Sequence, residues 1–219
     1  MKEIVIFGLG DAGKIAHFYF SRDSEYTVVA FAIDDEFFGE STFLGLPVVR
    51  SSELKDTYPP DRYGMFVAVG YSQMNQVRAN LYSKIKLMGY ACVNYISSRC
   101  TFLTEEKVGE NLFILEDNTI QPFVQIGNNI TMWSGNHIGH DAIIEDHCFI
   151  TSHVVISGHV RVGAYSFIGV NATLRNNITI GERTLIGAGS IIMKNSRAGS
   201  VFVPERTAVF SKTSDQIDM

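Results

Sequence analysis

Cysteine is scarce in this chain of 219 residues. Only Cys92, Cys100 and Cys148 occur, with no CxxC pair, which suggests neither a disulfide framework nor a cysteine zinc site. Long apolar runs are missing as well. The first, Ile4 to Phe7, is too short for a signal peptide, and no run approaches a transmembrane span. The expectation is a soluble cytoplasmic protein with no membrane insertion. An excess of positive charge is also absent: 18 Lys and Arg stand against 23 Asp and Glu, which leaves no electrostatic footprint for nucleic acid. With 46% hydrophobic and 19% charged residues the chain is not intrinsically disordered. Its length suits one large domain or two small ones.

Lysine and arginine are rare between Val108 and Gly181, where only Arg161 and Arg175 appear. Isoleucine runs the other way, with 6 in residues 1–100 and 16 in residues 101–219. Two halves with different alphabets predict two domains, 1–100 and 101–219. The isoleucines are themselves a repeat. Stepping by six from Val108 meets Ile114, Ile120, Ile126, Met132, Ile138, Ile144, Ile150, Ile156, Val162, Ile168, Leu174, Ile180, Ile186 and Ile192, without a slip of phase. Small or β-branched residues usually stand four places further on, and Gly109, Gly127, Gly163 and Gly181 add a rhythm of 18.

Neither a helical period of 3.6 nor a strand period of 2 accounts for a strict six. A triangular solenoid does. Six residues make a short strand and a corner, three such units make a coil, and successive coils stack about 4.8 Å apart. The glycines, with Glu145 filling the one gap in their rhythm, then mark a recurrent corner where a missing Cβ permits tight backbone geometry. This is the hexapeptide pattern, and it resembles the left-handed β-helix proteins, most of which are acyltransferases. Handedness and the usual homotrimer are implied by that resemblance.

The first half reads differently. Residues 3–7 form a predicted strand that runs into Gly8-Leu9-Gly10-Asp11-Ala12-Gly13-Lys14 and a helical stretch to Phe20. That is G-x-G-x-x-G in its required context, with helix N-terminal amides free for a phosphate. A second strand, 27–33, ends at Asp34-Asp35, where an acidic side chain can accept bonds from a ribose or base. A strand over 65–69, then Gly70-Tyr71-Ser72, a helix from about 73 to 88 and a last strand over 91–96 complete a predicted βαβ module. The expected fold is therefore a Rossmann-like module followed by a parallel β-helix.

That join resembles the bacterial sugar acetyltransferases related to the sialic-acid O-acetyltransferase and the bacillosamine-pathway N-acetyltransferase. The resemblance implies that the first module holds a nucleotide-linked amino sugar (UDP, dTDP or GDP), and that the prism holds acetyl-CoA between subunits of a homotrimer, with no metal. Carried over by motif, Gly10, Asp11, Ala12, Gly13, Lys14, Asp34, Asp35, Gly70 and Tyr71 become nucleotide-sugar contacts.

Five of the six histidines fall between residues 137 and 159. His147, His153 and His159 hold the same place in three successive repeats, so they are expected to point outward at separate corners, too far apart to share one ion. His140 sits in Ile138-Gly139-His140-Asp141, which fits the family motif in which the base is a histidine followed by an acid. An imidazole titrates near working pH and can take the proton of an attacking amine. The neighbouring acid can fix its tautomer. His137 is the next candidate base.

Gly158 lies 18 residues past His140, one coil above it, where its amide can serve a thioester oxyanion. By resemblance Val170, Gly187 and Ala188 line the pantetheine groove, and Lys194 and Arg197 meet the CoA phosphates. The position nine past the base, which holds a second histidine against acetyl-CoA in the bacillosamine-type relative, is Phe149 here; by resemblance Phe149 still meets acetyl-CoA, and either Asn136 or His147 makes the thioester contact or the acyl pocket differs. The family's terminal Gly-x-Pro-Ala is also replaced, by Phe202-Val203-Pro204-Glu205-Arg206. The expected activity is acetyl-CoA-dependent N-acetyl transfer to an amine, at C-4, of a nucleotide-linked amino-deoxy sugar in surface-polysaccharide synthesis. Sialic-acid-type O-acetylation, a zinc lyase of the carbonic-anhydrase type and a non-catalytic sugar-nucleotide-binding protein stand as alternatives.

Overall fold

The apolar run after Glu3 forms β1 (Glu3–Phe7), an inner strand of a five-stranded sheet, with Ile4, Val5 and Ile6 fully buried. The structure, a computed structural model, describes residues 2–217. Helix α1 (Asp11–Arg22) and β2 (Thr27–Ile33) follow, and β2 pairs in parallel with β1. Two strands that the residue pattern did not signal come next, β3 (Thr42–Phe43) and β4 (Leu46–Arg50). They form a hairpin because Leu44 and Gly45 both take left-handed φ, 51° and 80°, the geometry of a tight two-residue turn. After a short helix α2 (Leu54–Thr57), β5 (Gly64–Val67) and α3 (Gln76–Leu87) complete the module, with strand order β3-β4-β2-β1-β5.

Helix α3 starts three residues later than its apolar pattern suggests, since Gln73, Met74 and Asn75 all have φ between 52° and 64°. The expected last strand over 91–96 is split. Cys92 makes a single bridge to Met65, while Tyr95–Ile96 pairs with Phe113–Ile114 as the first rung of the second half.

From there the chain winds into a left-handed parallel β-helix of two-residue strands, each rung pairing with the residue 18 further on except the last, where Leu185–Ile186 meets Val201–Phe202 16 residues on. Three faces result. Face 1 carries seven strands, from Tyr95–Ile96 to Val201–Phe202, face 2 carries six, from Thr101–Phe102 to Ile191–Ile192, and face 3 carries four, from Gln125–Ile126 to Thr179–Ile180. The six-step residues point inward as one core, which also takes in Val124, Ala142, Cys148, Val154 and Ala172. Gly109, Gly127, Gly163 and Gly181 need their missing Cβ for stacking: one added there would lie 2.3–2.5 Å from atoms of the neighbouring coil.

From Asn111 to Gly189 each corner turns on one left-handed residue. The series Asn111, Asp117, Phe123, Asn129, Gly135, Asp141, His147, His153, His159, Tyr165, Asn171, Asn177, Arg183, Gly189 has φ between 54° and 78° throughout. Asn, Asp, Gly and His tolerate this region best, which accounts for most of the series. The histidine cluster is thus explained at His147, His153 and His159 by corner geometry.

The module docks on face 1. Arg78 of α3 is 1% exposed and donates to Thr131 Oγ1 (2.8 Å), Cys148 O (3.0 Å), His147 O (3.2 Å) and Asn75 Oδ1 (3.3 Å). Burial pushes its guanidinium down to about 10, so it stays charged at neutral pH. Asn111, at a corner of the prism, accepts from Val67 N (2.7 Å) and donates to Val67 O (3.2 Å), closing onto β5 as a strand would. No helix among the described residues is long and apolar enough to cross a membrane.

Candidate active site

The glycine-rich turn divides its labour. A Cβ on Gly8, at φ 127°, would sit 2.3 Å from Ala68 O, and one on Gly13 would sit 2.1 Å from Gly8 O. Those two glycines serve helix–strand packing, and Gly13 is buried. Gly10 and Gly70 differ, because nothing lies within 4 Å of a Cβ on either. Both line a 680 Å³ cavity at the carboxyl ends of β1, β2 and β5, together with Asp11, Ala12, Asp34 and Glu36. Helix α1 opens there at Gly10 with no side-chain cap, leaving its first-turn amides for an anion.

Asp34 lines this cavity and pairs with Lys84 of α3. Asp35 does not fit the role expected of it. Its carboxylate accepts from Ser52 Oγ (2.6 Å), Ser51 Oγ (3.0 Å) and Ser52 N (3.1 Å), bonds that hold it below the usual carboxylate range. It fixes the turn after β2.

A second cavity of 490 Å³ adjoins the first through Asp11, Ala12, Ala68, Val69 and Gly70, and lies between the module and face 1. Lys14 and Tyr71 line it, with Phe113, Thr131, Trp133 and Phe149 from the prism. Phe149 is 5% exposed, its ring 4.9 Å from Tyr71 and stacked 5.7 Å from Phe167. The structure therefore groups Phe149 with Lys14 and Tyr71 at the domain junction, on face 1, away from the corner that carries His140.

His140 stands at the corner between faces 2 and 3. Its Nδ1 lies 2.8 Å from Asp141 Oδ2, and its amide donates to Gln121 Oε1 at 2.8 Å. Because Asp141 fills the left-handed corner position, the dyad is held by backbone geometry as well as by that bond. The ring packs over Gly158, where a Cβ would meet His140 Nε2 at 2.8 Å. Gly158 in turn owes its position to Gly139, on which a Cβ would lie 2.5 Å from Gly158 N. At comparable corners the amide is bound by a side chain one coil earlier, as Ala164 N is by Glu145 Oε2 (3.0 Å). Below Gly158 that side chain is missing, and its N–H has no acceptor among the described residues.

One neighbour went unnoticed in the sequence. His159 Nε2 lies 3.9 Å from Asp141 Oδ2, and its ring meets that of His140 at 5.0 Å and 89°. The available signal was the 18-residue step, which takes Asp141 to His159. His147 is elsewhere, half-buried beside Tyr82, its Nδ1 bonded to Asn129 Nδ2 (2.9 Å) and its pKa lowered by burial. Asn136 does not fit an acetyl-CoA contact. It is 2% exposed and spends its polar atoms inside the coil, on Asn118 Oδ1, Val154 N and Trp133 O.

Val170, Gly187 and Ala188 lie at the corner between faces 1 and 2, Ala188 one coil above Val170. His140, Gly158 and Lys194 share the corner between faces 2 and 3. The two corners of one chain are separated by the width of face 2, a six-residue step of at most roughly 20 Å.

The family described as "Bacterial transferase hexapeptide (six repeats)" matches residues 159–194. That matched segment lies within the prism. Whole-chain likeness comes from solved structures. The acetyltransferase domain of PglB from Neisseria gonorrhoeae is 20% identical, with 92% of this chain and 96% of that chain covered and a TM-score of 0.80. Perosamine N-acetyltransferase from Caulobacter crescentus, solved with CoA and GDP-perosamine as a histidine-to-asparagine mutant, is 25% identical over 91% and 92% of the two chains, TM-score 0.80. WeeI from Acinetobacter baumannii is 21% identical over 91% and 95%, TM-score 0.76. No curated protein matches the chain by sequence.

Proposed function

We propose that this hexapeptide transferase moves an acetyl group from acetyl-CoA to an amine, at C-4, of a nucleotide-linked amino-deoxy sugar, in bacterial surface-polysaccharide synthesis. The observation that carries the proposal is one chain holding two adjoining cavities at a helix N-terminus and, on its prism, a histidine–carboxylate dyad beside a free amide. The nucleotide occupies the 680 Å³ cavity, its phosphates lie at the amides of Asp11 and Ala12, and the sugar enters the aromatic 490 Å³ cavity beside Lys14 and Tyr71. The CoA and GDP-perosamine complex of the Caulobacter enzyme supports this choice of ligands.

In the reaction the amine nitrogen attacks the thioester carbonyl while His140 Nε2 takes its proton. Asp141 keeps the Nδ1–H tautomer and stabilises the imidazolium, and the Gly158 amide donates to the oxyanion. Collapse expels the CoA thiolate, which leaves as the thiol, and the products are an acetamido sugar and free CoA. A positioned base contributes about 10² to 10⁴ in rate and an oxyanion donor about 10² to 10³. Since the sugar cavity is on face 1 and His140 is at the far corner, the complete site takes its base from a neighbouring subunit of a homotrimer. The pantetheine arm runs between Val170, Gly187 and Ala188 of one chain and the Lys194 edge of the next. The decisive experiment measures thiol release from acetyl-CoA with UDP-, dTDP- and GDP-linked amino sugars. Release with none of them refutes the proposal, and full turnover by a trimeric His140→Ala refutes the role of His140.

A further inference from the structure

We propose that His140, Asp141 and His159 of each chain bind one divalent transition-metal ion of the zinc class, through His140 Nδ1, Asp141 Oδ2 and His159 Nε2. These are two imidazoles and a carboxylate, a donor set that zinc takes readily. Asp141 Oδ2 stands 2.8 Å from His140 Nδ1 and 3.9 Å from His159 Nε2, and one ligand atom from each residue lies within 4.8 Å of the others. A tetrahedral ion with bonds of about 2.1 Å wants its ligand atoms roughly 3.4 Å apart. The trio brackets that spacing, and its side chains are 41–55% exposed and free to adjust by the remainder.

The scaffold fixes the rest. Asp141 and His159 are successive members of one corner column, with φ of 57° each, so their side chains leave the prism one coil apart. Gly158 puts no side chain between the two rings. Three protein ligands leave a fourth position open to water.

Coordination at Nδ1 moves the imidazole proton to Nε2, the nitrogen that the proposed transfer needs free. Zinc is therefore a reversible inhibitor of this transferase, and that consequence alone rests on the acetyl-transfer proposal. Binding itself is tested on the untagged full chain without either substrate, by calorimetric titration with Zn²⁺. One ion per chain with micromolar affinity is expected, weakened at least about tenfold in His159→Gln and unchanged in His153→Gln, which alters the same corner position one repeat earlier. Both sites are exposed, so both variants keep the fold, which thermal melting verifies. No saturable binding by the wild type, equal affinity in His159→Gln, or equal loss in His153→Gln overturns the site. If His140→Ala abolishes thiol release and zinc binds the wild type without suppressing it, the assignment to Nδ1 is overturned; if His140→Ala keeps full release, it is the acetyl-transfer reading that fails.

Discussion

Gly158 and Gly139 are both glycines for steric reasons, yet they respond differently to the same added methyl. In Gly158→Ala the Cβ meets only the His140 ring, the half-exposed end of a side chain, which swings aside. Thermal stability should stay near wild type while turnover in the thiol-release assay falls about 10² to 10⁴, as for loss of the base. In Gly139→Ala the Cβ meets backbone of the next coil at 2.5 Å and cannot be relieved by a rotamer. That variant should lose about 1–3 kcal/mol in denaturant unfolding. His147 adds a pH dependence. Its folded pKa lies below the ordinary imidazole value, so the unfolded chain binds the extra proton first and stability falls as pH drops below about 6.5. His147→Asn should flatten that part of the stability–pH curve, as followed by urea unfolding.

Among elements, the solenoid and the first strands were open to inspection in the sequence, because an apolar side chain every six residues has no other explanation and Ile4 to Phe7 can only be a buried strand. The hairpin of β3 and β4 was hidden, since it depends on the left-handed Leu44, a residue type that carries no turn signal. So was the late start of α3. The site was half legible. His140, Asp141 and Gly158 follow from motif and period, whereas the internal use of Asn136 and the serine bonds of Asp35 are tertiary facts. The αL column also holds an internal ladder in which Asn111 Nδ2 donates to Asn129 Oδ1 and Asn129 Nδ2 bonds to His147, at 2.9 Å each. Asn129→Ala strands partners on both sides and should cost about 1–3 kcal/mol, measured by denaturant unfolding.

For the whole molecule the governing joint is Arg78, a buried cation that meets carbonyls and hydroxyls and no carboxylate, its Nε without a partner among the described residues. Removing it leaves His147 O without a donor among the described residues and a cavity at the junction, while Cys148 O keeps its bond from Thr131 N. Arg78→Ala should destabilise the chain by about 2–5 kcal/mol, and the module should then melt ahead of the prism in calorimetry. The pairing of Asn111 with Val67 has a further consequence. Strand β5 is the outer strand of its sheet, and an outer strand with free amides and carbonyls invites pairing with another chain. Here Met65 bonds to Ala91 and Val93, and the Asn111 side chain takes up both main-chain groups of Val67, so this border is sealed from within the same polypeptide. Parting the module from the prism would therefore bare a sticky β-edge, and the docking that builds the 490 Å³ cavity is also what keeps separate molecules from zipping together.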